Sequence, residues 1–481
     1  MVTKKRKDML MGKIAMIGAG SIVFCQTLLN DMLATPALSG FTYALMGPTL
    51  SKLKVTEENA ARVIQKNGLS ARVYSTTDRR EALKDADYVI LMLKVGSSEV
   101  VSCDKSIPLK YGVDQAIGDS LGPGGVFRAL RTLPVLTSLF KEIEELCPNA
   151  LVLNYVNPMA TVCLALGKAS RVRCVGLCHG VQTTLQLIAM YTGVKKEDID
   201  YMAAGINHMA WFLKLESKGQ DLYPLLRENM EKPGYYLPEK VRGEVMRHFG
   251  YFMTESTHHL SEYLSWFRKN PQVIRDYCDQ PRFGAPADGD KAGVSGQVED
   301  TELPCFENGY LEPRSVEYCS YILEAMETDK VFRFNGNVLN RGYITNLPPD
   351  CCVEVPVYVD RTGLHPTVVG ELPMQLAALN QTNVTVQMLA AEAALTGDPE
   401  LVYAAVALDP LTSAVLTLQQ TRDMVAELFE ANREWLPQFQ GKAFRKTSPV
   451  VIPEGTVGVE VPMDPALAIF HRIDRLLNAK K

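Results

Sequence analysis

Residues 13–33 read KIAMIGAGSIVFCQTLLNDML. A short, mostly apolar run from Lys13 to Ile17 ends in Gly18-Ala19-Gly20-Ser21, and apolar residues then recur at helical spacing from Ile22. That order is strand, tight turn, helix. Glycines in such a turn let a phosphate approach the backbone, and the first helical turn offers N–H groups and the positive end of its dipole. Gly18, Gly20 and Ser21 are therefore the expected cofactor-binding residues for a dinucleotide. The pattern is degenerate. Val23 stands where a third glycine would complete it, and the second strand ends Leu45-Met46-Gly47-Pro48 without the carboxylate that would hold an adenosine ribose. A similar α/β domain with another ligand stays open on this pattern. So does the choice between NAD and NADP, because Ser51 or Lys52 can approach a ribose 2′-phosphate.

Working outward, FTYALM (41–46), ARVYSTT (71–77) and ADYVILMLKVG (86–96) read as strands, with a helical stretch from Lys52 to Asn67. A helix in RALRTLPVLTSLFKEIEELC (128–147) is followed by strands ALVLNYV (150–156) and CVGLCHG (174–180). Alternation of this kind predicts an α/β fold with a parallel, doubly wound sheet, whose ligands sit at the carboxyl ends of the strands. After about residue 200 the alternation fades. The expected organisation is an N-terminal Rossmann-type domain over residues 1–200 and a C-terminal α+β domain over 201–481. Residues 376–407 and TRDMVAELFEANREWL (421–436) read as helical, and QPRFGAPADGDKAGVSGQVED (280–300) as an exposed loop.

The chain has 481 residues, 47% hydrophobic and 22% charged, with a net charge of -5. That charge gives no basic footprint for nucleic acid. The start is basic and then apolar but runs straight into the glycine turn, so it reads as a short tail before a first strand and not as a secretory signal. No stretch of about 18 uninterrupted apolar residues exists to span a bilayer. The 11 cysteines follow no regular framework, which fits reduced thiols in a cytoplasmic protein. Cys351 and Cys352, ahead of the strand-like VEVPVYVD, read as small buried hydrophobes.

Three groups of residues can carry chemistry. Cys178 at the end of a strand and His208 in GINHMAW are ligand types for a borderline transition metal, with room for substrate oxygens in an open site. A buried cysteine and an unrelated buried histidine are the alternative. No second pair exists to make a zinc knuckle with Cys174. The segment Gly118 to Gly125 is too glycine-rich for a helix and precedes one beginning near Val126. Asp119 there, with Arg128 and Arg131 on the helix, can face a polar ligand, or the segment is an ordinary loop with solvated arginines. His258, His259, Glu262 and Tyr263 form the densest acid/base cluster, which can move protons or can be polar helix surface.

Taken together, GAGS, GDSLGPGGVFRALRTLPV, LNYVNPMA, GLCHGVQ and GINHMAW resemble glycoside hydrolase family 4, and among its members the melibiase-type α-galactosidases. The resemblance runs over nearly the whole chain, up to about Lys442. It implies a fold shared with lactate and malate dehydrogenases and a glycosidase outside the two-carboxylate type. In that family, bound nicotinamide takes hydride from sugar carbon 3, which acidifies the proton on carbon 2, and a base removes it. A metal, usually Mn²⁺, stabilises the resulting charge; the aglycone leaves with acid help, water adds, and the hydride is returned. Net chemistry is hydrolysis with a recycled cofactor.

Carried over by position, Cys178 and His208 match the metal ligands. Asn157 matches an asparagine that contacts substrate hydroxyls near the cofactor, and Arg128 is grouped with it as substrate-binding. His179, beside the metal cysteine, matches a position that touches the sugar. Asp119 matches a carboxylate close to the sugar. The family's base falls where Thr257 aligns, so Asp119, His259 and Tyr263 are the candidates here, with His179 a further catalytic candidate. Phosphosugar relatives carry Cys-Asn or Cys-Asp followed by proline. This chain has Cys-His-Gly-Val, which implies unphosphorylated substrates. Gly180 stands where melibiase-like members carry serine, which keeps an α-glucuronidase or α-galacturonidase open through room for a substrate carboxylate. A plain nicotinamide-dependent secondary-alcohol dehydrogenase is the reading from another class. The resemblance also implies a homodimer or homotetramer.

Overall fold

Two runs, Tyr88–Leu91 and Leu151–Asn154, are buried at every position. Strands buried on both faces belong to the centre of a parallel sheet flanked by helices. The computed structural model describes residues 12–278, 306, 309–445 and 447–479. The expected short N-terminal tail and the loop at 280–300 lie outside the described residues.

The parallel half comprises β1 (Lys13–Ile17), β2 (Thr42–Met46), β3 (Arg72–Thr76), β4 (Tyr88–Leu91), β5 (Leu151–Asn154) and β6 (Arg173–Gly176). Their order across the sheet is β3-β2-β1-β4-β5-β6. This is the doubly wound arrangement expected from the alternation, and its strand order reverses between β1 and β4, where such sheets open a crevice for a ligand. Helix α1 (Ile22–Leu33) follows the glycine turn and α2 (Leu50–Lys66) follows β2.

The remaining strands are β7 (Asp200–Ile206), β8 (Met209–Ser217), β9 (Gln220–Asp221), β10 (Phe332–Leu339), β11 (Cys352–Asp360) and β12 (Gly363–Pro366). They extend the same sheet: β10 pairs antiparallel with β6 and β11, and β11 pairs with β7 and β12. One twelve-stranded sheet therefore crosses residue 200 without a break. The described residues up to 445 form one compact unit and those from 447 onward a second. The second unit carries the helix Pro465–Asn478, capped by Asp464.

Two expectations are corrected. The helix after the glycine-rich segment, α3 (Gly122–Leu146), begins before Val126. Pro123 favours a helix start. A Cβ on Gly124 would lie 2.7 Å from Asp104 O and one on Gly125 2.7 Å from the Ser120 carbonyl carbon, so the glycines let this turn pack against neighbouring backbone. Cys178 does not end a strand: β6 stops at Gly176, and Cys178 and His179 form the short bend before α4 (Gly180–Thr192). Cys351 and Cys352 are buried at 0% and 1% exposure, as their setting predicts. Among the described residues no helix is long and apolar enough to cross a membrane.

Candidate active site

The carboxyl ends of the parallel strands share one edge of the sheet. The glycine turn lies there after β1, Asn157 after β5, and Cys178 after β6. Gly18 has φ +95 and its N–H, like that of Ala19, donates to Met46 O, which ties the turn to β2. A Cβ on Gly18 would meet Leu93 N at 2.6 Å, so only glycine fits. At Gly20 nothing lies within 4 Å of the Cβ position, and Ser21 is exposed at the α1 N-cap. The backbone there is accessible to a phosphate, which the residues present suit. β2 ends without a carboxylate, and Ser51 and Lys52 are exposed in the first turn of α2.

His208 reaches this edge from the opposite side. It occupies the two-residue turn between β7 and β8, where Ile206 pairs with Met209, and its φ of +61 is a conformation few side chains adopt. The segment 252–254 runs beside β8, with Phe212 N–H donating to Phe252 O and Thr254 N–H to Ala210 O. That pairing delivers Glu255 to the turn. Ser256 then caps helix α5 (Thr257–Tyr263) by accepting from His259 N–H.

Three donors converge there. The Sγ of Cys178, a ring nitrogen of His208 and a carboxylate oxygen of Glu255 lie within 4.8 Å of one another. Sγ is 3.7 Å and His208 Nε2 is 3.6 Å from Glu255 Oε2. On the other ring nitrogen, His208 Nδ1 is 3.2 Å from Ser120 Oγ and 3.4 Å from the Tyr263 hydroxyl. Burial, with the charge of His259, pushes the His208 imidazole down to about 4, which keeps it neutral as a ligand must be. Burial and the carboxylates of Glu255 and Glu354 push the Cys178 thiol up. A cation among these donors would reverse that effect, because a coordinating thiol is deprotonated. A thiol, a neutral imidazole and a buried carboxylate thus fit a divalent transition metal.

His259 lies between two acids, with Nδ1 3.6 Å from Glu255 Oε1 and Nε2 3.9 Å from Asp119 Oδ1. Burial opposes its charge, yet Asp119 and Glu255 hold the imidazole up to about 10. Burial also opposes ionisation of Asp119, but His259 and Arg128 outweigh it and hold the carboxyl well below the usual range. Asp119 Oδ2 accepts from Arg128 Nη1 at 3.2 Å, and Arg128 Nε donates to Asn157 O at 3.2 Å. Asp119 Oδ1 is buried without a hydrogen-bond partner. An orphaned acceptor beside a cationic imidazole suits a hydroxyl-bearing ligand.

The expected residues separate into groups. Cys178, His208, His259 and Asp119 come together, and Arg128 and Asn157 adjoin them. His179 is 61% exposed at the mouth, with Nδ1 3.4 Å from Glu317 Oε1. Tyr263 lies behind the His208 ring. Thr257, the aligned base position, is buried and its hydroxyl donates to Glu239 Oε2 at 3.4 Å. Arg131 leaves the site for the core, fully buried against Asp104 and Asn432. Glu262 accepts from the N–H groups of Ile117 and Gly118 and so anchors the Asp119 loop. Glu255, Ser120 and Glu317 were missed. The available signal for Glu255 is its place just before the helix cap Ser256, in Thr254-Glu255-Ser256-Thr257.

Gly180 does not open room for a substrate carboxylate. A Cβ there would lie 2.5 Å from Glu255 Oε2 and 2.9 Å from Thr254 O, so the chain's own acid fills that volume.

Residues 13–194 match the model of the family 4 glycosyl hydrolases, and residues 203–412 match that of the family's C-terminal domain. The chain belongs to family 4 of the glycosyl hydrolases. It is a glycoside hydrolase by that membership. An α-galactosidase of Bacillus subtilis (strain 168) is 41% identical over 440 residues, covering 89% of this chain and all of that protein. An α-galactosidase of Rhizobium meliloti (strain 1021) is 40% identical over 438 residues, covering 89% of each. The structure of the 6-phospho-β-glucosidase of Thermotoga maritima with manganese, NAD+ and glucose-6-phosphate superposes with a TM-score of 0.71. It shares 23% identity and covers 88% of this chain and 99% of that one. This family 4 chain therefore shares its fold with that enzyme.

Proposed function

We propose that this family 4 hydrolase cleaves unphosphorylated α-glycosides, α-galactosides first, with recycled NAD and Mn(II). The observation that carries the reading is the convergence of Cys178, His208 and Glu255 on the sheet edge that also bears the glycine turn. Similarity to two α-galactosidases along 89% of the chain supports the sugar. Two carboxylates support the absence of substrate charge. Glu317 beside His179 would repel a sugar phosphate, and Glu255 fills the space beside Gly180 that a uronate carboxylate would need.

Gly18, Gly20 and Ser21 would hold the dinucleotide phosphates, and Cys178 and His208 the metal. When bound, the nicotinamide would supply hydride chemistry and the metal Lewis acidity. The chain's own residues manage position and protons. Arg128 fixes the Asp119 carboxylate and the Asn157 backbone at once, so sugar and cofactor contacts share one clamp. Asp119, ionised and with one oxygen unpartnered, receives the proton from carbon 2. His259, held as an imidazolium, gives a proton to the departing glycosidic oxygen. His179 contacts the sugar from the mouth. In this reading the division of labour follows the chain: residues 1–200 carry the cofactor turn, and His208, Glu255 and His259 come from beyond it.

A panel of p-nitrophenyl α-galactoside, α-glucoside, α-glucuronide, α-galacturonide and 6-phosphoglucosides, with NAD and Mn(II) each added or withheld, tests this. Release from the α-galactoside only with both additions is expected. Turnover with neither, or stoichiometric consumption of NAD, would contradict it.

A further inference from the structure

We propose that Glu255 is a third protein ligand of the divalent-cation site and that Gly180 is the residue that admits it. The inference rests on the reading of Cys178 and His208 as metal ligands. Glu255 Oε2 stands 3.7 Å from Cys178 Sγ and 3.6 Å from His208 Nε2. Two ligands held at ordinary metal–donor bonds of about 2.0–2.3 Å span such separations. The carboxylate is buried, and its neighbours are the other two donors, His259, and the N–H of Ser256, which donates to Oε1 at 2.7 Å. That hydrogen bond holds the far oxygen and leaves Oε2 turned toward the donors, as a hydrogen bond to a metal-binding side chain orients it.

The position follows from strand pairing and a helix cap. Pairing of 252–254 with β8 carries Glu255 to the His208 turn, and the Ser256 cap turns the chain into α5 immediately afterwards. The carboxylate then needs space against the first residue of α4. A Cβ on residue 180 would meet Glu255 Oε2 at 2.5 Å, closer than real Cβ contacts approach. Only glycine at 180 leaves Oε2 where it is. A hard oxygen beside the thiolate and imidazole also widens the donor set toward Mn(II).

The test uses Mn(II) titrated into the metal-free full chain with NAD present, followed by calorimetry. Water-proton relaxation of the bound ion then counts its coordinated waters. Glu255→Gln should weaken Mn(II) binding by more than about a hundredfold, beyond the usual cost of losing an outer-shell partner. Glu255→Ala should raise the number of bound waters by one, which an outer-shell carboxylate would not do. Gly180→Ser should weaken binding and raise the water count in the same sense. Cys178→Ser is the control for the underlying site, and thermal melting and NAD affinity report on folding. If Cys178→Ser weakens binding but Glu255→Ala leaves affinity and water count unchanged, Glu255 is not a ligand. If Cys178→Ser also changes nothing, the metal-site reading itself fails.

Discussion

The hydroxyl of Tyr263 lies 3.4 Å from Nδ1 of His208, the ring nitrogen opposite the one that faces Glu255. Tyr263 is 1% exposed, and burial pushes its hydroxyl well above the ordinary phenol range. This geometry orients an imidazole and does not present a base to substrate. Tyr263→Phe should therefore lower kcat by less than about tenfold and weaken Mn(II) binding modestly, as loss of an outer-shell partner does. A loss of more than about a thousandfold in kcat with Mn(II) affinity intact would make Tyr263 the proton acceptor instead.

Asp119 makes the opposite prediction. Its Oδ1 is buried and makes no hydrogen bond while Oδ2 is held by Arg128, so in the proposed mechanism Oδ1 is the oxygen offered to the sugar. Asp119→Asn should reduce kcat by at least about a hundredfold, the scale of a lost acid/base group. NAD and Mn(II) affinities should stay near the wild-type values. Unchanged kcat with raised KM alone would leave Asp119 as a binding residue only.

Arg131 shows what a buried ion pair does away from the chemistry. Its guanidinium, 0% exposed, is 2.5 Å from Asp104 and also donates to Asn432 Oδ1 at 2.6 Å. Arg131→Ala leaves a buried carboxylate unpaired and should cost about 3–5 kcal/mol of stability. Urea unfolding measures it. A shift under about 1 kcal/mol would contradict the pairing.

Glu354 predicts a pH dependence of stability. Burial, with the Glu255 charge, raises its pKa from the ordinary 4.5 to about 8. Between those values the unfolded chain ionises this group while the folded chain keeps it protonated, so the unfolded state binds fewer protons. Its contribution to stability therefore falls as pH rises from about 4.5 to about 8, then levels off. In metal-free protein, Glu354→Gln should remove this slope and raise stability at pH 8 by a few kcal/mol, since Gln can keep the Asn207 contact. A uniform loss of stability at every pH would show that the carboxyl is wanted ionised.

Much of the parallel sheet was legible because its signals are local. Apolar runs, a glycine turn and helical spacing each lie within one continuous stretch of chain, and strand order follows from the doubly wound pattern. Cys178 and His208 were legible as ligand types. The missing members depend on distant pairing. Glu255 joins the donors only because 252–254 lies beside β8, and no spacing in residues 254–257 encodes that neighbour. Gly180 misled for the same reason: sequence shows an absent side chain, whereas only the fold shows that Glu255 fills the gap. Arg128 and Arg131 sit three apart on α3, yet one meets Asp119 and the other Asp104, a difference set by what each face packs against.

Hydrolysis through transient oxidation, as proposed, exchanges the carbon 2 proton with solvent, and turnover in D₂O reads that exchange. The sugar released from p-nitrophenyl α-galactoside with NAD and Mn(II) should carry deuterium at carbon 2 by NMR. Product with only hydrogen there, from an enzyme turning over normally, would contradict the account.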